Sequence, residues 1–420
     1  MKSFIYLSLL LSALQVHCHH DSGDRIIFED PPPSLEDKRM KTRYASKIAP
    51  GNADFAFRFY KQIASDAAAK NIFFSPLSIC TAFAMLTLAA KFETQSQIYK
   101  GLGFNLSETE EHEIHKGFHQ LLHLLNDPNN KAQVNLGNAL FVEESLKILP
   151  KFLEDIRMVY QGEGFSANFQ NSAAVKNQIN DYVQTKTHGK ISHAVDDLDP
   201  RTVMVLLNYI YFKANWKDSF SSDLTKEDDF FVDANTTVKV PLMYRNGNYN
   251  YLRDDDLFCC VVEVPYKGDA TAFFILPDRG KLEHVETALA VKTLAKWKAS
   301  FRSEEIHLYL PKFSISASYD VKDLLQKLGV VDAFSDNADL SGITGERDLK
   351  VSKAVHKAVV DVHESGTEAA AVTVVEIAPR FGSASPDTII KFDSPFLFTI
   401  VESFTDIPLF LGKIVNPTEK

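Results

Sequence analysis

The chain has 420 residues, 45 Lys+Arg against 55 Asp+Glu, and a formal charge of −10. An apolar fraction of 45% with 31 Phe and 14 Tyr excludes a disordered or low-complexity polypeptide. The acidic balance excludes a general nucleic-acid binder, which needs a basic surface to neutralise phosphates.

At the N-terminus, Lys2 precedes an apolar run from Phe4 to Leu14, and Val16-His17-Cys18 offers the residues a signal peptidase reads. The run is too short to span a bilayer, so residues 1–18 read as a secretory signal rather than an anchor. Removing them leaves Cys80, Cys259 and Cys260. An odd count with a vicinal pair implies buried free thiols on a helix and a strand, and no disulfide framework. Residues 19–46 are polar, carry Pro31-Pro32-Pro33 and lack periodicity, so a flexible tail is expected there. Residues 47–420 contain no Gly/Ser/Pro-rich linker and no repeat, which favours a single large domain.

Within that domain Phe55, Phe59 and Ile63 make a helical apolar stripe. Asn71 to Ser75 reads as a short strand running into a helix that starts at Pro76 and continues through Ser78 and the small apolar run from Ala82 to Ala90. Further helices are expected around 109–125, 149–159 and 283–300. Strand texture dominates 203–212, 237–243, 260–265, 271–276, 306–311, 394–400 and 408–412. Helices first and strands later predict an α+β domain with packed sheets.

Catalytic signatures are lacking: there is no Gly-x-Ser-x-Gly, no His-Glu-x-x-His, no Cys-x-x-Cys and no phosphate-binding Gly loop. The chain therefore reads as a non-enzyme without cofactor. His112, His115, His119 and His123 share one helix face, but with no implied carboxylate or thiol partner they read as an exposed surface, and no metal is assigned. Lys292, Lys296, Lys298 and Arg302, with Trp297 among them, form two ridges rather than one groove and read as a solvated helix. Asn105 and Asn235 open the two usable glycosylation sequons, whereas Asn416 is blocked by Pro417.

The segment from Glu364 to Phe381 stands out. Thr367, Ala369, Ala371 and Thr373 alternate with Glu368, Ala370, Val372 and Val374, leaving one face of a would-be strand uniformly small. No proline occurs before Pro379, after which Arg380 sits alone in a turn-rich stretch reaching Pro386. Such a segment can slot between existing strands, the requirement for strand addition.

These residues, with Asn71 to Ser78, Asn208 to Lys213, Trp216, Leu349 to Ala358 and Ile390 to Phe398, closely resemble the serpin family over 50–420, in the branch of alpha-1-antitrypsin and antichymotrypsin. The resemblance implies eight to nine helices around three β-sheets with an exposed reactive-centre loop at about 364–390. It implies a secreted plasma inhibitor, a monomer, that traps a trypsin-like serine protease as a suicide substrate. Arg380 and Phe381 would form the reactive bond, and Gly366, Thr367, Glu368, Ala369, Ala370 and Ala371 the hinge, with Thr367 the first side chain to enter the sheet after cleavage. Ser75, Ser78, Asn208 and His356 would be the sheet-opening cluster, and Trp216, Lys312 and Glu364 the contacts at the top of the sheet. Phe381, where many relatives have Ser, and Val372, in place of a small residue, depart from the pattern. Residues 88–111 lack the basic cluster of heparin-activated relatives, so heparin is not an expected partner, and neither nucleic acid nor membrane is. The alternative is a non-inhibitory member carrying a hormone or other small ligand.

Overall fold

A computed structural model describes residues 42–127, 129–367 and 388–419. In chain order the elements are α1 (Ala45–Asp66), β1 (Ile72–Phe74), α2 (Pro76–Thr87), α3 (Phe92–Gly101), α4 (Glu111–Leu125), β2 (Gln133–Glu143), α5 (Pro150–Tyr160), β3 (Glu163–Ala167), α6 (Ser172–Lys186) and β4 (Met204–Asn215). They continue through β5 (Lys226–Phe231), β6 (Thr237–Asp254), β7 (Cys259–Pro265), β8 (Ala270–Pro277), α7 (Leu282–Ala288), α8 (Val291–Ser300), β9 (Arg302–Pro311) and β10 (Phe313–Asp320). The last are α9 (Lys322–Lys327), α10 (Ser341–Thr344), β11 (Lys353–His363), β12 (Gly366–Thr367), β13 (Thr388–Lys391), β14 (Phe396–Glu402) and β15 (Pro408–Ile414).

The α+β class is as expected. Among the described residues the helices exceed eight or nine because α9 and α10 are short additions of 6 and 4 residues. Among the described residues the strands join into two hydrogen-bonded sheets where three were expected. One has nine strands in the order β1-β15-β14-β8-β7-β6-β9-β13, with β5 also on β6; the other has six, β10-β11-β12-β4-β2-β3. The 18-residue β6 causes the merger: its first part pairs with β5, its middle with β9 and its last residues with β7.

The expected tail ends earlier than residue 46. Thr42 and Ala45 are buried, and the backbone N–H groups of Tyr44 and Ala45 both donate to Oε1 of Gln120 (2.8 and 2.9 Å), which satisfies two donors at the start of α1. Residues 1–18 and the rest of that tail, to 41, lie outside the described residues. The single helix expected over 283–300 is two, α7 and α8, broken where Leu289 leaves helical geometry (ψ 120°). Among the described residues no helix is long and apolar enough to cross a membrane.

The main core lies between the two sheets. Phe73 stacks on Phe398 and Phe410 with ring centroids 5.9 and 5.2 Å apart, and Phe212 and Phe313 close the cluster from the six-stranded sheet. The opposite face of the six-stranded sheet has its own smaller core, where Val175, Ile179 and Val183 of α6 cover Leu207 and Tyr209 of β4 and Val355 and Val359 of β11. Strands β4 and β11 are thus buried on both faces, which suits their nearly unbroken apolar sequence. Cys80 in α2 and Cys259 in β7 are buried free thiols and Cys260 is half-buried. Burial pushes the Cys80 thiol up and that of Cys259 to about 12, so neither is a nucleophile at neutral pH.

Phe73 is fully buried at the junction of the sheets. Phe73→Ala should therefore destabilise the fold by about 3–5 kcal/mol, read as a fall in the urea midpoint with an unchanged m-value.

Candidate functional site

The six-stranded sheet is divided along its middle. Strands β4 and β11 pair in parallel from Val205↔Lys353 to Tyr211↔Val359. Above Tyr211 they part, and the two-residue strand β12 fills the top of the gap, antiparallel to both: Thr367 faces Ala214 and Val362, and Gly366 faces Asn215 and His363. Gly366 has φ +145°, and a Cβ there would stand 2.2 Å from the Ala214 carbonyl oxygen. Only glycine makes that turn.

Of the hinge expectations one changes, that Thr367 enters the sheet only after cleavage. Thr367 is already inside the sheet, completely buried, with its hydroxyl 3.0 Å from that of Tyr266. Strand β12 is thus two residues deep between β4 and β11, because Gly366 lets the chain reverse against Asn215 and seats Thr367 between two edges that would otherwise lack partners. Glu368, Ala369, Ala370, Ala371, Arg380 and Phe381 lie outside the described residues.

The residues proposed for the top of the sheet meet around β12. Trp216 is fully buried, stacks on Tyr266 at 4.2 Å and donates Nε1–H to the His363 carbonyl (2.9 Å). Its backbone N–H donates to Ser365 O and that of Phe220 to Glu364 O, both 2.9 Å, so the turn between β11 and β12 is tied to the segment after β4. Lys312 Nζ is 2.9 Å from Glu364 Oε2, and Thr225 donates to Oε1 (2.8 Å). Burial pushes the Glu364 carboxyl up, but the hydrogen bonds from Lys312, the backbone and Thr225 outweigh it, and the group titrates below its ordinary range.

The four residues expected to form a sheet-opening cluster also converge, beneath the parallel stretch. Ser75 caps α2, its Oγ accepting from Ser78 N at 3.1 Å. Ser78 Oγ donates to Asn208 Oδ1 (2.7 Å), and Asn208 Nδ2 donates to Ser78 O (3.0 Å) and Asn138 Oδ1 (2.7 Å). His356 faces Asn208 across the β4–β11 pair. Its Nε2 accepts from Ser75 N (3.0 Å), so its Nδ1–H must donate to Asn208 Oδ1 (2.6 Å). The ring is fully buried, and burial lowers its pKa to about 3. Asn138 is a member that sequence reading missed; it sits in β2 opposite Asn208, visible only once strands are paired.

Two surface readings change. His115 is not exposed: its ring lies between the hydroxyls of Tyr99 and Tyr160. The basic face of α8 is partly neutralised, with Lys296 on Asp254 and Asp256 (both 3.2 Å), Lys298 on Asp406, and Trp297 buried with Nε1–H donating to Asp254 (2.8 Å). Asn105 and Asn235 are exposed, the first after α3 and the second between β5 and β6.

A family model described as Serpin (serine protease inhibitor) matches residues 50–417. The chain belongs to the serpin family. Relatives of this serpin include alpha-1-antiproteinase 2 of Equus caballus, 48% identical over 92% of this chain and 90% of that protein. Alpha-1-antichymotrypsin of Pongo abelii is 45% identical over 100% of this chain and 99% of that one. Among solved structures, human thyroxine-binding globulin complexed with thyroxine superposes with a TM-score of 0.85 at 44% identity, covering 90% of this serpin and all of the other chain. At the level of the family, this places the chain among protease inhibitors rather than enzymes.

Protonating His356 would turn its Nε2 into a donor against the Ser75 N–H. Its folded pKa of about 3 lies below the free value near 6.5, so the unfolded chain binds the proton first and stability falls as pH drops through that window. Between pH 7 and 5 this group should remove about 2 kcal/mol, a loss absent from a His356→Asn variant in parallel urea titrations.

Proposed function

We propose that this serpin is a secreted, glycosylated inhibitor of trypsin-like serine proteases, acting as a suicide substrate. The observation that carries the reading is the two-residue strand β12, already antiparallel between β4 and β11 at the mouth of the gap. If its register continues downward, Ala369 and Ala371 follow Thr367 on the core face. Thr373 then arrives opposite both Asn208 and His356, where it displaces their mutual contact. Val372 falls on the other face, toward α6, so its size does not obstruct entry. Full entry replaces one parallel pair by two antiparallel pairs, which adds a row of backbone hydrogen bonds and favours the inserted state.

Reach is sufficient. Fifteen residues from Gly366 to Arg380 extend roughly 50 Å, and the twelve-residue β4 beside which they would lie spans about 40 Å. A protease acylated by Arg380 would be carried from the hinge end of the sheet to its far end. An arginine before the scissile bond to Phe381 suits proteases whose specificity pocket ends in a buried carboxylate. The partner is thus a protease in a covalent complex with a single copy of this chain, with no cofactor and no requirement for heparin. The likeness to thyroxine-binding globulin supports a second reading, a carrier of a small ligand, which would bind its cargo without consuming a protease.

Incubation with trypsin followed by denaturing electrophoresis separates the two: a covalent complex is the expected outcome, and its absence with the loop cleaved rejects the inhibitor. Arg380→Leu should slow trypsin inhibition at least ~100-fold and improve that of chymotrypsin-like enzymes. Thr367 is a poor site for testing insertion because it is already buried. Ala371→Arg places the cation on the core-facing edge of the entering strand, where burial without a partner is costly. That variant should be cut after Arg380 and release active trypsin, measured as a stoichiometry of inhibition well above one.

A further inference from the structure

We infer that His119 and His123 form a two-imidazole site for a divalent transition-metal ion such as Zn²⁺. The pair sits on the C-terminal half of α4, one helical turn apart, with His119 half-buried and His123 exposed. Their Nε2 atoms are 3.2 Å apart and their ring planes are inclined at 67°. Two imidazoles bound to a tetrahedral ion at about 2.0–2.1 Å place their nitrogens about 3.3 Å apart, whereas adjacent ligands of a square-planar ion stand nearer 2.9 Å. The observed separation lies close to both, so the two nitrogens can share one ion with little movement of either ring.

The other two histidines of the face do not contribute. His115 is held between Tyr99 and Tyr160, and His112 turns to Glu110 at 3.0 Å. Among the described residues no set of three His, Cys, Asp or Glu side chains converges, so water completes the coordination shell. Without the ion, one ring donates Nε2–H to the other. Binding moves that proton to Nδ1 of the same ring, so both Nε2 lone pairs face the metal and no proton is released. The ion then staples residues 119 and 123 across the last turns of α4.

The test titrates ZnCl₂ into the chelator-stripped full chain near neutral pH by calorimetry. Because His17, His19 and His20 offer other imidazoles, the difference between proteins carries the answer. Wild type should bind one equivalent in the micromolar range that is weakened at least ~10-fold in both His119→Gln and His123→Gln and is unchanged in His112→Gln. Circular dichroism of the metal-free variants, which replace side chains at the surface, should match wild type, and zinc should raise the melting temperature of wild type more than that of either variant. Identical titrations for wild type and both variants would overturn the site.

Discussion

The parallel pairing of β4 with β11 is the contact on which the rest of this molecule turns. Parallel pairs are slightly weaker per residue than antiparallel ones, and this one is closed over only part of its length. Below Tyr211 and Val359 the strands share a ladder, and above them β12 wedges the sheet apart. The structure therefore holds a strand order that another strand of the same chain could improve.

Two groups of side chains hold that order. At the centre, Asn208 accepts from His356 across the pair and from Ser78 of α2 beneath, so sliding the strands apart means breaking several buried hydrogen bonds in one step. At the top, the Lys312–Glu364 pair and the Trp216 indole fix the turn between β11 and β12. The clasp at the centre is the stronger, because each of its partners is fully buried and has no water to fall back on. In the proposed insertion, Thr373 brings a hydroxyl to the place where that clasp opens, so the polar atoms of Asn208 and His356 need not be left unpaired.

The two faces of the sheet differ in what they ask of an entering strand. The core face, packed on α2 and the aromatic cluster around Phe73, tolerates only small side chains, which the Thr367–Ala369–Ala371–Thr373 alternation provides. The other face is capped by the narrow stripe of Val175, Ile179 and Val183, a smaller core that can give way with less loss.

Sequence alone determined the class, the family resemblance, the small-sided segment and the seven residues that meet at the top and centre of the sheet. Composition and local pattern carry those signals, and residue types such as Gly366 are dictated by backbone geometry. It did not determine that β2 and β3, far upstream among helices, belong to the same sheet as β11, because pairing is a non-local choice that strand texture does not encode. Nor did it determine that Thr367 is already buried, that Asn138 completes the central cluster, or which histidines of α4 face each other. Helical spacing put four imidazoles on one face. Only packing against Tyr99 and Tyr160 withdrew His115 from it, since a side chain's direction is settled by the neighbours that tertiary structure brings to it.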